Sequence, residues 1–186
     1  DFCLSRGLGD VYKRQEKDFE PDDLVSIDEE YAADDTQTGS RIAVNAFIKM
    51  YKAAKKDGYE LVINSSYRSY EEQEDTCDTY RQLYGENYVL NYVAMPGFSE
   101  HQTGLSFDIG SRNSNVFAES EEYEWIQENA HKYGFIQRFP SKYEAITGFR
   151  AEPWHYRYVG KKIATYIYEH DISFEEYYVC LLYTSP

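Results

Sequence analysis

The sequence predicts an α+β fold, because segments with helical periodicity and segments with strand character mix along the chain without a regular βαβ rhythm. The chain has 186 residues, which suits one ordinary domain with a buried core. Hydrophobic residues make up 42% of the chain and charged residues 28%, and no apolar run approaches the ~20 residues of a membrane span. We therefore expect a single globular domain that makes no membrane contact.

The chain is acidic, with 33 acidic and 19 basic side chains and a formal net charge of −14. This balance argues against nucleic acid or an anionic membrane surface as a partner, because both require clusters of Lys and Arg. Aromatic residues make up 17% of the chain, which is too many for a disordered acidic tail. The three cysteines are too few for a disulfide framework.

Helices are predicted where apolar residues recur at helical spacing between capping signals. The first helix carries its apolar residues on one face, namely Val44, Phe47, Ile48 and Tyr51. Ser69 is the candidate N-cap of the second helix, and Gly85 ends that helix. The predicted helices run from near Ser40 to Gly58 and over Tyr70–Leu83, Ser120–Tyr133 and Lys161–His170, with a last turn at Phe174–Tyr178.

Strands are predicted where short β-rich or alternating runs lie between turn residues. Leu105–Ile109 alternates apolar and polar side chains, which is typical of a half-buried strand, and it follows a predicted loop at Phe98–Gly104. The other predicted strands are Tyr59–Asn64, Phe135–Phe139 and Ala151–Val159. Together with the helices, they predict a small sheet with helices around it.

The two ends of the chain differ in character from the middle. Residues 1–15 and 180–186 resemble translated sequencing-adapter tails and are interpreted as non-native; frayed natural termini are the alternative. Residues 16–38 are acidic and rich in turn residues, and they are interpreted as an arm or linker. This division leaves residues 39–179 as the predicted main domain.

Two of the four histidines have neighbours that indicate chemistry. His101 precedes Asp108 by seven residues, and His155 follows Glu152 by three. Two histidines, one carboxylate and an open fourth position form a catalytic zinc site, and a second carboxylate nearby can act as general base. The spacing alone fits a polar surface cluster and a solvated Glu152 equally well. In a regular strand Glu152 and His155 would also face opposite ways, unless Pro153 bends the chain.

Four ordered segments resemble a known family. They are INSSYRSYEEQ (63–73), PGFSEHQTGLSFDI (96–109), WIQENAHKYGFIQRFP (125–140) and TGFRAEPWHYRYVG (147–160). Over most of its length the chain resembles the VanY-type D-alanyl-D-alanine carboxypeptidases, a group of zinc peptidases that includes related L,D-carboxypeptidases. The resemblance implies a Hedgehog/DD-peptidase-like fold, a single α+β domain with a small, mostly antiparallel sheet flanked by helices.

The resemblance also implies the roles of individual residues. It implies one Zn²⁺ per chain, held by His101, Asp108 and His155, with Glu152 as the catalytic base. It further implies that Arg68 is a second catalytic residue. Arg68 would line a substrate cleft together with the substrate-binding residues Gln73, Ser99 and Trp154. Arg68 can hold either the substrate carboxylate or the developing oxyanion. Ser106 departs from the family, which usually has a small apolar residue at that position.

The cleft residues have structural alternatives. Arg68 could form a helix cap or a surface ion pair, and Gln73 could be an exposed residue in the first turn of its helix. Ser99 could be a turn-forming hydroxyl, and Trp154 could belong to the core. No site role is predicted for His131, His170 or Cys77.

The function implied is hydrolysis of the terminal D-Ala peptide bond of peptidoglycan stem peptides, with a zinc-activated water as nucleophile. The alternatives are L,D-cleavage of tetrapeptide stems and a non-catalytic peptidoglycan-binding domain on the same fold. A serine hydrolase built on Ser99 and His101 is disfavoured, because the sequence has no G-x-S-x-G elbow. Because the substrate lies outside the cytoplasmic membrane, we expect an extracytoplasmic protein whose native signal or anchor is missing from this sequence.

Overall fold

The computed structural model describes residues 15–184. It contains a four-stranded antiparallel sheet with the strand order β3-β4-β6-β5, and a separate antiparallel pair, β1-β2. The strands are β1 (Leu24–Ser26), β2 (Thr38–Ser40), β3 (Leu61–Ser65), β4 (Ser106–Ser111), β5 (Phe135–Phe139) and β6 (Glu152–Tyr158). This architecture confirms the predicted α+β class with a small, mostly antiparallel sheet.

Helices surround the sheet. They are α1 (Arg41–Asp57), α2 (Tyr70–Tyr84), α3 (Glu86–Tyr92), α4 (Glu121–Asn129), α5 (Glu144–Thr147), α6 (Lys161–His170) and α7 (Phe174–Thr184). Short 3₁₀ turns lie at Glu100–Thr103, Phe117–Glu119, Ala130–Tyr133 and Ser141–Tyr143. Within residues 15–184, no helix is both long enough and apolar enough to cross a bilayer.

The main core lies between α1 and the four-stranded sheet. The predicted apolar face of α1 points inward, with Val44, Phe47 and Tyr51 buried and Ile48 half-buried. The Phe47 ring meets the Phe107 ring of β4 edge-on, with 6.1 Å between the centroids. Burying aromatic rings of this size stabilises a domain by several kcal/mol, so α1 fixes the back of the sheet and leaves its other side for the site.

The predicted helix caps are present. Gly58 ends α1 at φ +100°, a conformation that favours glycine. The Ser69 side chain accepts from the Glu72 amide while the Glu72 carboxylate accepts from the Ser69 amide, so a capping box begins α2.

The structure differs from the element predictions in several places. Helix α3 begins directly after Gly85, where no helix was predicted. Residues Glu100–Thr103 of the predicted loop form a 3₁₀ turn, and the predicted helix at 120–133 changes from α to 3₁₀ after Asn129. The last helix does not finish at Tyr178 as predicted, because α7 continues to Thr184.

The acidic segment 16–38 lies against the rest of the domain. Its Ile27 and Ala32 side chains are buried in the main core, and Ala32 bridges Ile63 of β3 in parallel. A backbone bond from Ser40 to the Gly104 carbonyl joins β2 to the turn that carries His101. Of the predicted non-native tails, residues 1–14, 185 and 186 lie outside the described residues.

Candidate active site

The sheet brings the two halves of the predicted metal site together. Asp108 of β4 and His155 of β6 are direct partners in the antiparallel register, so their side chains share a face. His101 lies on the 3₁₀ turn just before β4, which Gly104 ends at φ +67°. A side chain at Gly104 would also come within 3.0 Å of the Ser40 amide nitrogen, so this tight turn requires glycine.

The three residues form one compact cluster. His155 Nδ1 lies 3.1 Å from one carboxylate oxygen of Asp108, and His101 Nε2 lies 3.5 Å from the other. One donor atom from each residue falls within 4.8 Å of the other two, which is a spacing that a single cation can bridge. Both histidines are buried and Asp108 is half-buried, so the alternative of a polar surface cluster is wrong.

Hydrogen bonds orient both imidazoles. His101 Nδ1 lies 2.6 Å from the Ser66 carbonyl oxygen, to which it can only donate, so its Nε2 faces the cluster as an electron pair. His155 has the opposite arrangement, because its Nε2 lies 3.3 Å from Glu100 Oε2 and its Nδ1 faces Asp108. Each ring therefore has one nitrogen held by the protein and one nitrogen available to a metal.

The cluster is electrostatically coupled. Burial raises the pKa of the Asp108 carboxyl, but the two neighbouring histidines outweigh it and hold that pKa well below its usual range. Burial lowers the pKa of His155, but hydrogen bonds to Asp108 and Glu100 outweigh it and raise that pKa to about 10. The carboxylates of the site thus stabilise a positive charge placed between them.

Glu152 lies at the start of β6, on the cleft side of the cluster. Its Oε2 is 3.7 Å from His155 Nδ1, and burial raises the pKa of its carboxyl. In a regular strand Glu152 and His155 would face opposite ways, but β6 is irregular here. Between the paired positions Phe139–Glu152 and Gln137–Tyr156, β6 contains two more residues than β5. This bulge, which includes Pro153, turns Glu152 and His155 toward the same site.

Arg68 and Gln73 form a hydrogen-bonded pair that also lines the cleft. Arg68 Nη1 donates to Gln73 Oε1 and Nη2 donates to Ser65 Oγ, both at 2.9 Å. Gln73 Nε2 donates to the Ala94 carbonyl at 2.7 Å, and Gln73 is only 2% exposed. Gln73 is therefore not the exposed helix residue of the alternative interpretation; its amide orients Arg68.

Ser99 and Trp154 also line the cleft. Ser99 is buried directly before the turn that carries His101. Trp154 is 44% exposed, so the alternative that it belongs to the core is wrong. The other two histidines lie elsewhere, where His131 stacks on Tyr168 and His170 on Tyr166. The Cys77 thiol is buried and donates to the Ala94 carbonyl.

Two features of the site were missed from the sequence. The first is an aromatic ladder on α2 and α3, formed by Tyr80, Tyr84, Tyr88 and Tyr92, three of which line the cleft. Their regular spacing of four residues is a signal that could have revealed it. The second is Glu100, whose buried carboxylate touches His155, and for which a polar turn sequence gives no signal.

Comparison with known proteins identifies the family. The profile of the VanY family, described as D-alanyl-D-alanine carboxypeptidase, matches residues 37–161. A Bacillus subtilis protein named as the carboxypeptidase YodJ is 45% identical over 168 residues, covering 86% of this chain and 62% of that protein. A D-alanyl-D-alanine carboxypeptidase of Enterococcus faecalis is 38% identical over 137 residues, covering 69% of this chain and 51% of that protein.

Solved structures share the fold. The LdcB LD-carboxypeptidase superposes with a TM-score of 0.81 at 40% identity, covering 92% of this chain and 87% of LdcB. VanYB in complex with D-Alanine-D-Alanine gives a TM-score of 0.78 at 30% identity and covers 94% of both chains. The fold is thus the one shared by these LdcB and VanY carboxypeptidase structures. The chain belongs to the VanY family, and it spans roughly half to three fifths of the length of the curated relatives it matches.

Proposed function

We propose that this protein is a zinc carboxypeptidase that removes the terminal D-Ala from peptidoglycan stem peptides. The observation that carries the proposal is the convergence of His101, Asp108 and His155 on one point, with the Glu152 carboxylate 3.7 Å from the His155 ring in an open cleft. Membership of the VanY family supports it, as does the D,D-pentapeptidase VanY in complex with Zn(II), which is 29% identical with a TM-score of 0.72.

The donor set fits zinc. Two imidazole nitrogens and one carboxylate oxygen are the ligands of catalytic zinc sites, and the cleft leaves the fourth position accessible. The second nitrogen of each histidine already has an oxygen partner, Ser66 for His101 and Glu100 for His155. Such partners fix the ring orientation that a metal requires. When bound there, Zn²⁺ would lower the pKa of a water toward ~7 and polarise the scissile carbonyl.

The proposed mechanism assigns two tasks to the chain's own residues. Glu152 takes a proton from the attacking water and delivers it to the leaving amine of D-Ala. Its burial beside the cluster suits this task, because burial raises the pKa of its carboxyl toward the working pH. Arg68 has a permanent charge and a forked donor set, held in place by Gln73 and Ser65, to receive the substrate carboxylate or the oxyanion.

A second candidate is L,D-cleavage of tetrapeptide stems by the same residues. The likeness to LdcB favours it, and DacB from Streptococcus pneumoniae, an L,D-carboxypeptidase, adds support at 32% identity with a TM-score of 0.73. A non-catalytic peptidoglycan-binding role is less consistent with the site, because all three candidate ligands and the base are present. Either activity would act outside the cytoplasmic membrane, which is the location we propose.

The test is incubation of the purified protein with pentapeptide and tetrapeptide stems, with and without a zinc chelator. Release of D-Ala from the pentapeptide alone supports D,D-specificity, and release from the tetrapeptide alone supports the L,D-alternative. In both cases the chelator should abolish release, and added zinc should restore it. Binding of either stem without any release would support the non-catalytic role and contradict the proposal.

A further inference from the structure

We propose that Glu100 is a positioning residue, which holds His155 in the tautomer and ring orientation that bind the metal. The inference rests on the proposed function, because it concerns how the zinc site is held. Glu100 lies in a polar turn whose local sequence carries no signal of such a role, and it extends the site beyond the three ligands and the base.

The His155 imidazole lies between carboxylates on both sides. Asp108 and Glu152 approach Nδ1, with oxygens at 3.1 and 3.7 Å, whereas Glu100 Oε2 lies 3.3 Å from Nε2. A carboxylate at Nε2 accepts a hydrogen bond from the Nε2–H group and leaves the Nδ1 lone pair for the cation. Glu100 thus determines which nitrogen of His155 is free.

Other residues fix the Glu100 carboxylate itself. Arg138 Nε donates to Oε1 at 2.8 Å, Ser106 Oγ donates to Oε2 at 3.2 Å, and the Arg157 guanidinium lies 4.0 Å from Oε2. Glu100 is only 9% exposed, so these contacts are little screened by water. They also explain the departure at Ser106, whose hydroxyl is a donor that an alanine could not supply.

Arg138 connects this arrangement to the last helix. Its second amino group donates to Glu175 of α7, and its guanidinium lies over the rings of Phe139 and Phe174, at 4.7 and 5.4 Å from their centroids. A buried arginine held between two carboxylates and two aromatic rings has little freedom to move. A series of side-chain contacts therefore connects α7 to the proposed metal ligand His155, through Glu175, Arg138 and Glu100.

The geometry separates Glu100 from the other carboxylates in role. Both of its oxygens already have donors, and it faces the ring nitrogen that points away from Asp108. It is therefore a partner of a ligand, neither a fourth ligand nor a second base. Loss of such partners weakens metal affinity by roughly 10- to 100-fold.

The test is Zn²⁺ titration of the metal-free protein against a competing chelator, with wild type, Glu100→Gln and Glu122→Gln measured in parallel. Glutamine keeps the size of the side chain, and Arg138 retains Glu175 as a partner. Glu122 is the matched control. Its buried carboxylate lies outside the cluster and accepts a hydrogen bond from Asn113 at 2.8 Å. We expect Glu100→Gln to bind zinc roughly 10- to 100-fold more weakly, and Glu122→Gln to match wild type.

A second measurement does not depend on the variant folding. In ¹⁵N spectra of the zinc-loaded wild type, His155 should carry its proton on Nε2 and its metal on Nδ1. Wild-type zinc affinity in a folded Glu100→Gln protein, or a His155 proton on Nδ1, would overturn this inference alone. Failure of the wild type to bind zinc would overturn both this inference and the proposed function.

Discussion

The floor and the rim of the cleft are built in different ways. The floor holds the candidate ligands and Glu152. It is formed by the paired strands β4 and β6 and by the turn that precedes β4. The rim carries the tyrosine ladder and Trp154, and it is formed by the adjacent helices α2 and α3 and by a bulge in β6. Buried side chains on the floor hold one another in place, whereas the rim is partly exposed to solvent. The floor therefore suits chemistry, and the rim suits contact with an extended substrate.

The largest effect is expected from a floor ligand. In His101→Ala the protein should lose tight zinc binding, and D-Ala release should fall by roughly 10³ or more, because a metal contributes several kcal/mol to such a reaction. Metal analysis and a D-Ala assay measure the two quantities. The control is His170→Ala, an exposed histidine on α6. Equal losses in the two variants would contradict the distinction between the site and the remaining surface.

Arg68 lines the cleft and is the proposed contact to the substrate, so its replacement should reduce activity somewhat less. We expect Arg68→Ala to lower kcat/KM by roughly 10² to 10³, the cost of removing one preorganised donor to developing charge. Arg68→Lys should recover only part of this, because the ammonium lacks the fork held by Gln73 and Ser65. A rise in KM alone would indicate that Arg68 binds the substrate carboxylate, and a fall in kcat would indicate that it stabilises the oxyanion. Full activity in Arg68→Ala would remove it from the site.

Trp154 should represent the rim at its strongest. Trp154→Leu removes an exposed aromatic surface, and we expect KM for the stem peptide to rise roughly three- to tenfold, corresponding to about 1 kcal/mol of contact. The kcat should change little, because the indole is not among the candidate ligands or the base. Steady-state kinetics measure both parameters. A large fall in kcat with unchanged KM would assign Trp154 to the floor instead.

The smallest effect is expected in the tyrosine ladder. The Tyr84 ring contacts the rings of both Tyr80 and Tyr88, with centroids 5.9 and 4.7 Å apart, and it does not itself line the cleft. We expect Tyr84→Ala to raise KM by no more than about threefold, because the neighbouring rings remain and such ring pairs contribute about 0.5–1.5 kcal/mol. The same kinetic assay applies. A tenfold fall in kcat would show that rim and floor are coupled.

Several elements of the fold were predictable from the sequence alone. The strand Phe135–Phe139 and the helix Lys161–His170 were predicted with the observed bounds, because each lies between clear turn or glycine signals. The convergence of His101, Asp108 and His155 came from a resemblance, since their spacing alone did not distinguish a site from a surface cluster.

Long-range contacts account for what the sequence did not reveal. The partners of Glu100 lie 38 residues away at Arg138 and 55 residues away at His155, so local sequence reads as a polar turn. Helix α3 follows Gly85 without a loop, and a glycine after a helical run is usually the end of helical structure. The bulge that turns Glu152 inward likewise depends on the register with β5.

The most direct test of the account is the Glu152→Gln variant, compared with Glu128→Gln on the exposed face of α4. Zinc content and D-Ala release are measured on the same samples. We expect one zinc per chain in both variants, with release lowered by roughly 10² to 10⁴ in Glu152→Gln only, the usual contribution of a general base. Wild-type release from zinc-loaded Glu152→Gln would contradict the proposed role of Glu152.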